Sequence, residues 1–161
     1  MKKVQNKGYA IMKKAKSFAS KEDFKSALEC IKKVPENYTW NIKDLLFKAR
    51  IILLGDEDDE YSISEVQNLL ENALDLDKDN IEVLMELGYF YSCQMDDHKN
   101  AVYYFNKALM HAKDSYRLSL EGIKDAVNTS KLLVDEEKIK HIDSLLRKID
   151  SLPGNIKLDE E

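Results

Sequence analysis

Residues that interrupt helices are scarce in this chain. Five glycines and two prolines occur in 161 residues, far too few for a collagen-like or Gly/Pro-rich disordered chain. Long apolar runs are missing as well. None approaches the 18 or so residues a membrane-spanning helix needs. Cysteine is limited to Cys30 and Cys93, far apart and without CxxC spacing. That suits two buried, reduced thiols in a cytoplasmic protein better than a disulfide framework or a zinc site. The lysines near the start are followed by no apolar stretch, so a secretory leader is not expected.

Catalytic signatures are absent too. There is no P-loop, G-x-G-x-x-G, G-x-S-x-G or H-E-x-x-H. His98, His111 and His141 have no ligand-like spacing with one another or with the cysteines. The acidic run Asp56–Glu60 lacks the alternating ligands and bidentate Glu of a calcium loop, and reads as a solvated insertion. The expectation is a protein without enzymatic activity, cofactor or metal.

What is present is a helix-forming composition: 43% hydrophobic and 34% charged residues, with abundant Leu, Ile, Lys, Glu and Ala. The net charge of −5 conceals an asymmetry. Residues 1–54 hold 13 Lys/Arg against 5 Asp/Glu, whereas residues 55–161 hold 12 against 25. The basic portion reads first as lysines on solvated helix faces, with an acidic partner or nucleic acid as the alternative. Nucleic acid is disfavoured, because there is no Arg cluster or RNP-like aromatic motif and the acidic remainder repels phosphate.

A repeat runs along the chain. Ala15, Ala49, Gly88 and Gly122 are spaced by 34, 39 and 34 residues, the acidic run supplying the extra five. The first three sit between apolar residues four before and three after: Ile11 and Phe18, Leu45 and Ile52, Leu84 and Tyr91. A second amphipathic segment follows each, with Ala27, Leu28, Ile31 and Val34, then Val66, Leu70 and Ala73, then Ala101, Phe105 and Ala108. A mid-helix Gly costs about 1 kcal/mol. The expected return at Gly88 is a close helix–helix approach, with a bulky ring filling the notch. Helix starts are signalled by Ser20 with Asp23, Ser62 with Glu65, Asn80, Ser115 and Asp135.

These residues resemble the tetratricopeptide repeat (TPR) family, whose 34-residue unit carries an L-G-x-x-Y…A-x-x-x-F-x-x-A pattern. The third unit reads Leu87-Gly88-x-x-Tyr91, then Ala101-x-x-x-Phe105-x-x-Ala108, but lacks the closing Pro. The resemblance implies an all-α fold: a right-handed superhelical array of antiparallel helix pairs, with about eight helices. One domain over 1–153 would comprise units at about 8–36, 42–77 and 81–112 and a capping pair at 114–152, followed by an acidic tail at 154–161.

The resemblance also implies a concave groove lined by the first helix of each pair. Family positions carried onto this chain name Tyr9, Met12 and Lys16, then Leu46 and Arg50, then Met85 and Tyr89, with Lys43, Glu82 and Cys93 on the same face. If the fourth unit extends the groove, it adds Tyr116, Ser119 and Ile123. Leu53, Leu54 and Val127 fall at groove positions but are favoured as core. The expected function is a cytoplasmic protein-binding module, a TPR adaptor or partner-specific chaperone holding a peptide segment in the groove. An immunity-type inhibitor masking a toxin or enzyme through an acidic surface is the alternative, and homo-oligomers are left open.

Overall fold

In the computed structural model, residues 2–56, 60–129 and 136–154 are described, and their regular secondary structure is entirely helical. The seven helices are α1 (Lys2–Ala19), α2 (Phe24–Ile31), α3 (Ile42–Gly55), α4 (Ile63–Leu76), α5 (Ile81–Cys93), α6 (His98–Thr129) and α7 (Glu136–Asp150). Each packs against its neighbour in the chain, and α3 also touches α5 directly. No helix among the described residues is long and apolar enough to cross a membrane.

Local chemistry explains most helix starts. Ser62 and Glu65 form a reciprocal capping box on α4: the Glu65 N–H donates to Ser62 Oγ at 3.2 Å and the Ser62 N–H to Glu65 Oε2 at 2.8 Å. Asn80 Oδ1 accepts the Val83 N–H at the start of α5. Asn41 does the same for Asp44 on α3. At α2 the cap is Asp23, which accepts from the Ser26 N–H at 3.0 Å. Ser20, the expected start signal, instead sits in the turn after α1, and its hydroxyl donates to the Ser17 carbonyl. Glu22 takes a left-handed φ of 62° between them. The signal at Asp135 lies outside the described residues.

The largest departure from expectation is α6. A break before Ser115 was expected, opening a fourth unit. The helix instead runs unbroken from His98 to Thr129. Nothing between Ala108 and Ser119 is a Gly or Pro, and an unbroken helix keeps adding one backbone hydrogen bond per residue. Ser115 lies in the helix interior, its carbonyl accepting the Ser119 hydroxyl at 2.8 Å. The second helix of the third unit and the first helix of the capping pair are therefore one element. This is why the described residues hold seven helices rather than eight.

The core follows the repeat. Ala15, Ala49, Ala27 and Ala73 are buried, and one apolar cluster joins Met12, Leu28, Ile31, Leu46, Ile52, Val66, Leu70, Val83, Leu87 and Phe90 across α1 to α5. The notch at Gly88 is occupied as the pattern requires, since a Cβ there would lie 2.6 Å from the Phe105 ring. Gly122 is different: nothing lies within 4 Å of where its Cβ would be. The spacing is repeated there, but the packing is not. A second, small cluster of Leu120, Ile142 and Ile149 joins α6 to α7. It is reinforced by Lys124–Asp143 at 2.6 Å and Arg117–Asp150 at 3.2 Å.

Candidate partner-binding face

The candidate site is built from α1, α3 and α5, which side-chain pairs join along one face. Lys16 of α1 reaches Asp44 of α3 at 2.7 Å. Arg50, two turns along α3 from Lys43 and on the same face, reaches α5: Nε donates to Glu86 Oε1 at 2.9 Å and Nη2 to Glu82 Oε1 at 3.1 Å. Glu86, more than Glu82, holds the guanidinium toward its charged form. The Arg50 pairs are exposed, worth roughly 0–1 kcal/mol each, whereas the Asp44 end of the Lys16 pair is buried. Together these pairs link α1 to α3 and α3 to α5.

Apolar side chains stand free on the same face. Tyr9, seven residues before Lys16, is 67% exposed, and Met85 and Tyr89 of α5 are 40% and 53% exposed. Tyr89 is held edge-on against the Phe105 ring, with centroids 5.1 Å apart, so its position is set while its hydroxyl end stays in solvent. Leu53 and Leu54, expected in the core, are exposed. Cys93, expected to be buried, is exposed and free.

Two expected groove residues do not belong to it. Met12 and Leu46 are each 1% exposed and lie inside the main cluster. Sequence spacing places a residue along a helix but leaves open the roll of that helix about its axis. In α1 and α3 the roll carries the position three before the notch inward. Tyr116, Ser119 and Ile123 are exposed, but they do not extend this face. Phe105 is opposite Gly88, and His111 is opposite Asp79, at 3.3 Å, so α6 runs antiparallel to α5. At 1.5 Å per residue, Tyr116 therefore lies roughly 6 Å past the first residue of α5. All three sit on the half of α6 paired with α7. The side chain of Val127 lies outside the described residues.

Two cavities open along the α3–α5 seam. One, of about 100 Å³, is lined by Arg50, Leu53, Glu86, Tyr89 and Cys93, with Ala49, Leu70, Phe90 and Gln94 behind. The other, of about 550 Å³ and shallow, is lined by Trp40, Asn41, Ile42, Lys43, Leu76, Asn80 and Glu82. Trp40 was not singled out by the repeat, because it precedes the first turn of α3. Its ring is fixed by the Tyr38 ring edge-on at 5.2 Å and by Lys48 Nζ, 5.2 Å from its centroid.

Asp44 was also missed. It is 3% exposed, and it receives Lys16 Nζ at 2.7 Å, the Tyr38 hydroxyl at 2.6 Å and Asn41 Nδ2 at 2.9 Å. Burial pushes its pKa up, but the bonds from Lys16, Tyr38 and Asn41 outweigh that and hold the carboxyl below the usual carboxylate range. Burial, then the Asp44 charge, pushes the Tyr38 phenol up to about 12. The one available signal was Asn41-x-x-Asp44, a cap followed by an acid in the first helical turn.

The acidic insertion is closed at its base. Asp56 accepts the N–H of Glu60 at 3.0 Å and of Tyr61 at 2.7 Å, and Lys32 pairs with Glu60. Residues 57–59 lie outside the described ones. No group of three or more His, Cys, Asp or Glu among the described residues is placed to hold a metal ion. No known family's sequence profile matches the chain, and no curated protein or solved structure is detectably similar to it.

Proposed function

We propose that this chain is a non-enzymatic protein-binding module: a TPR-like array of helix pairs that acts as an adaptor or partner-specific chaperone and holds an extended peptide segment along the α1–α3–α5 face. The observation that carries this reading is the face itself. Tyr9, Leu53, Met85 and Tyr89 stand exposed on three helices that ion pairs link. Exposed aromatic and methionine side chains on a rigid frame suit recognition of a chain segment, the aromatics as low-entropy anchors and Met as an adaptable contact.

The test is capture from native lysate with the wild-type chain beside a Met85→Glu, Tyr89→Ala variant, both confirmed helical by circular dichroism. One protein enriched by wild type and lost with the variant is the expected result. Equal capture by both would move the interface off this face and favour an inhibitor that covers its target with an acidic surface.

A further inference from the structure

The Trp40 cavity and the Arg50–Tyr89 cleft belong to one track. Lys43 and Glu82 line the first, while Arg50 and Glu86 line the second, and Arg50 bonds to both glutamates. Along α3 the two are about nine residues apart, roughly 13 Å at 1.5 Å per residue. An extended chain covers that distance in about four residues. A ligand filling both is therefore chain-like.

The walls of the larger cavity define its chemistry. Trp40, Ile42 and Leu76 are apolar. The amides of Asn41 and Asn80 are engaged in capping, Asn41 with Asp44 and Asn80 with Asp77 and Val83, so they are committed to the fold. Two charged groups remain at the rim. Glu82 is held by Arg50. Lys43 has no ion-pair partner among the described residues, whereas Lys48, over the Trp40 ring, lines a different cavity with Tyr61 and Glu65. Among the described residues the rim therefore offers one unpaired cation, Lys43, to an acidic group on a ligand. A volume of about 550 Å³ falls in the range of about 300–1,000 Å³ typical of ligand sites, enough for one bulky side chain with part of its neighbour.

We propose that the Trp40 cavity is the anchor pocket for an acidic peptide segment: it takes a bulky apolar side chain whose adjacent Asp or Glu pairs with Lys43, and a second, smaller apolar side chain about four residues away enters the Arg50–Tyr89 cleft. This rests on the peptide-binding reading above and adds to it the sequence the partner must carry.

The experiment pans the full chain against a display library of random twelve-residue peptides. The enriched sequence, synthesised without Trp and dye-labelled, is then titrated. Binding is followed by anisotropy and, separately, by emission of Trp40, the chain's single tryptophan. The expected result is enrichment of a bulky apolar residue beside an acid, a shift of Trp40 emission on binding, and at least tenfold weaker affinity for Leu76→Glu. Leu76 is exposed, so this variant keeps its fold. Repeating the panning with Lys43→Glu should exchange the acidic preference for a basic one. Peptides that bind with Trp40 emission unchanged, and that are weakened by Tyr89→Ala but not by Leu76→Glu, would overturn the anchor pocket and leave the face as a binding site. Enriched peptides without an adjacent acid would overturn the role of Lys43. No enrichment over an unrelated helical control would overturn the pocket and the face together.

Discussion

Asp44 shows what a single buried charge does in this chain. It gathers a lysine from α1, a tyrosine from the loop before α3 and the asparagine that caps α3, so one carboxylate ties the first helix pair to the second. Such a group stabilises only while its partners are in place. Replacing Asp44 with Ala leaves the Tyr38 hydroxyl buried without its acceptor and is expected to cost about 1–3 kcal/mol in denaturant unfolding at neutral pH. The pH dependence has a definite sign. The folded pKa of Asp44 lies below its unfolded value of about 3.9, so the unfolded chain takes up the proton more readily. The contribution is complete above about pH 4 and is lost as pH falls through the folded pKa. Tyr38 acts at the other end: with its folded pKa raised to about 12, its contribution is complete below the unfolded value of about 10 and is lost as pH rises through 12. Denaturation of wild type and Asp44→Asn should therefore converge below about pH 4. A gap unchanged down to pH 3 would remove Asp44 from this role.

At the scale of the helix, two glycines with the same spacing have different surroundings. At Gly88 the Phe105 ring occupies the place a Cβ would need. Gly88→Ala should lose about 1–2 kcal/mol, because overpacking a close helix contact exceeds the gain in helix propensity. At Gly122 the space is open, and Gly122→Ala should gain up to about 1 kcal/mol from propensity alone. Thermal unfolding of both variants checks this, and shifts of the same sign would contradict it. The pair also shows what was legible beforehand. The notch at Gly88 could be read because its ring, Phe105, follows in the same repeat. The helix starts at Ser62 and Asn80 could be read because a cap is a contact between near neighbours. The unbroken α6 was missed because a repeat spacing of 34 residues suggested a boundary that no Gly or Pro enforces. Met12 and Leu46 were misplaced because helix roll is decided by packing across the molecule. Trp40 and Asp44 became visible only when the residues around them were brought together by the fold.

Taken whole, the molecule has a main body from α1 to the first half of α6, held by one apolar cluster, and a hairpin of α6 and α7 held by a smaller one. The exposed residues expected to form one continuous groove are divided between them. Tyr9, Met85 and Tyr89 belong to the body, and Tyr116, Ser119 and Ile123 to the hairpin. The claim that the α1–α3–α5 face is where this chain meets its partner is tested most directly by hydrogen exchange, resolved by peptide, on the free chain and on its complex with the captured partner. In the free chain, α7 should exchange before α3 and α5, because its cluster is smaller and less deeply buried. In the complex, new protection should fall on the segments carrying Tyr9, Lys43, Arg50, Met85 and Tyr89. Protection confined to α2, α4 or the α6–α7 hairpin, with α3 and α5 unchanged, would contradict the account.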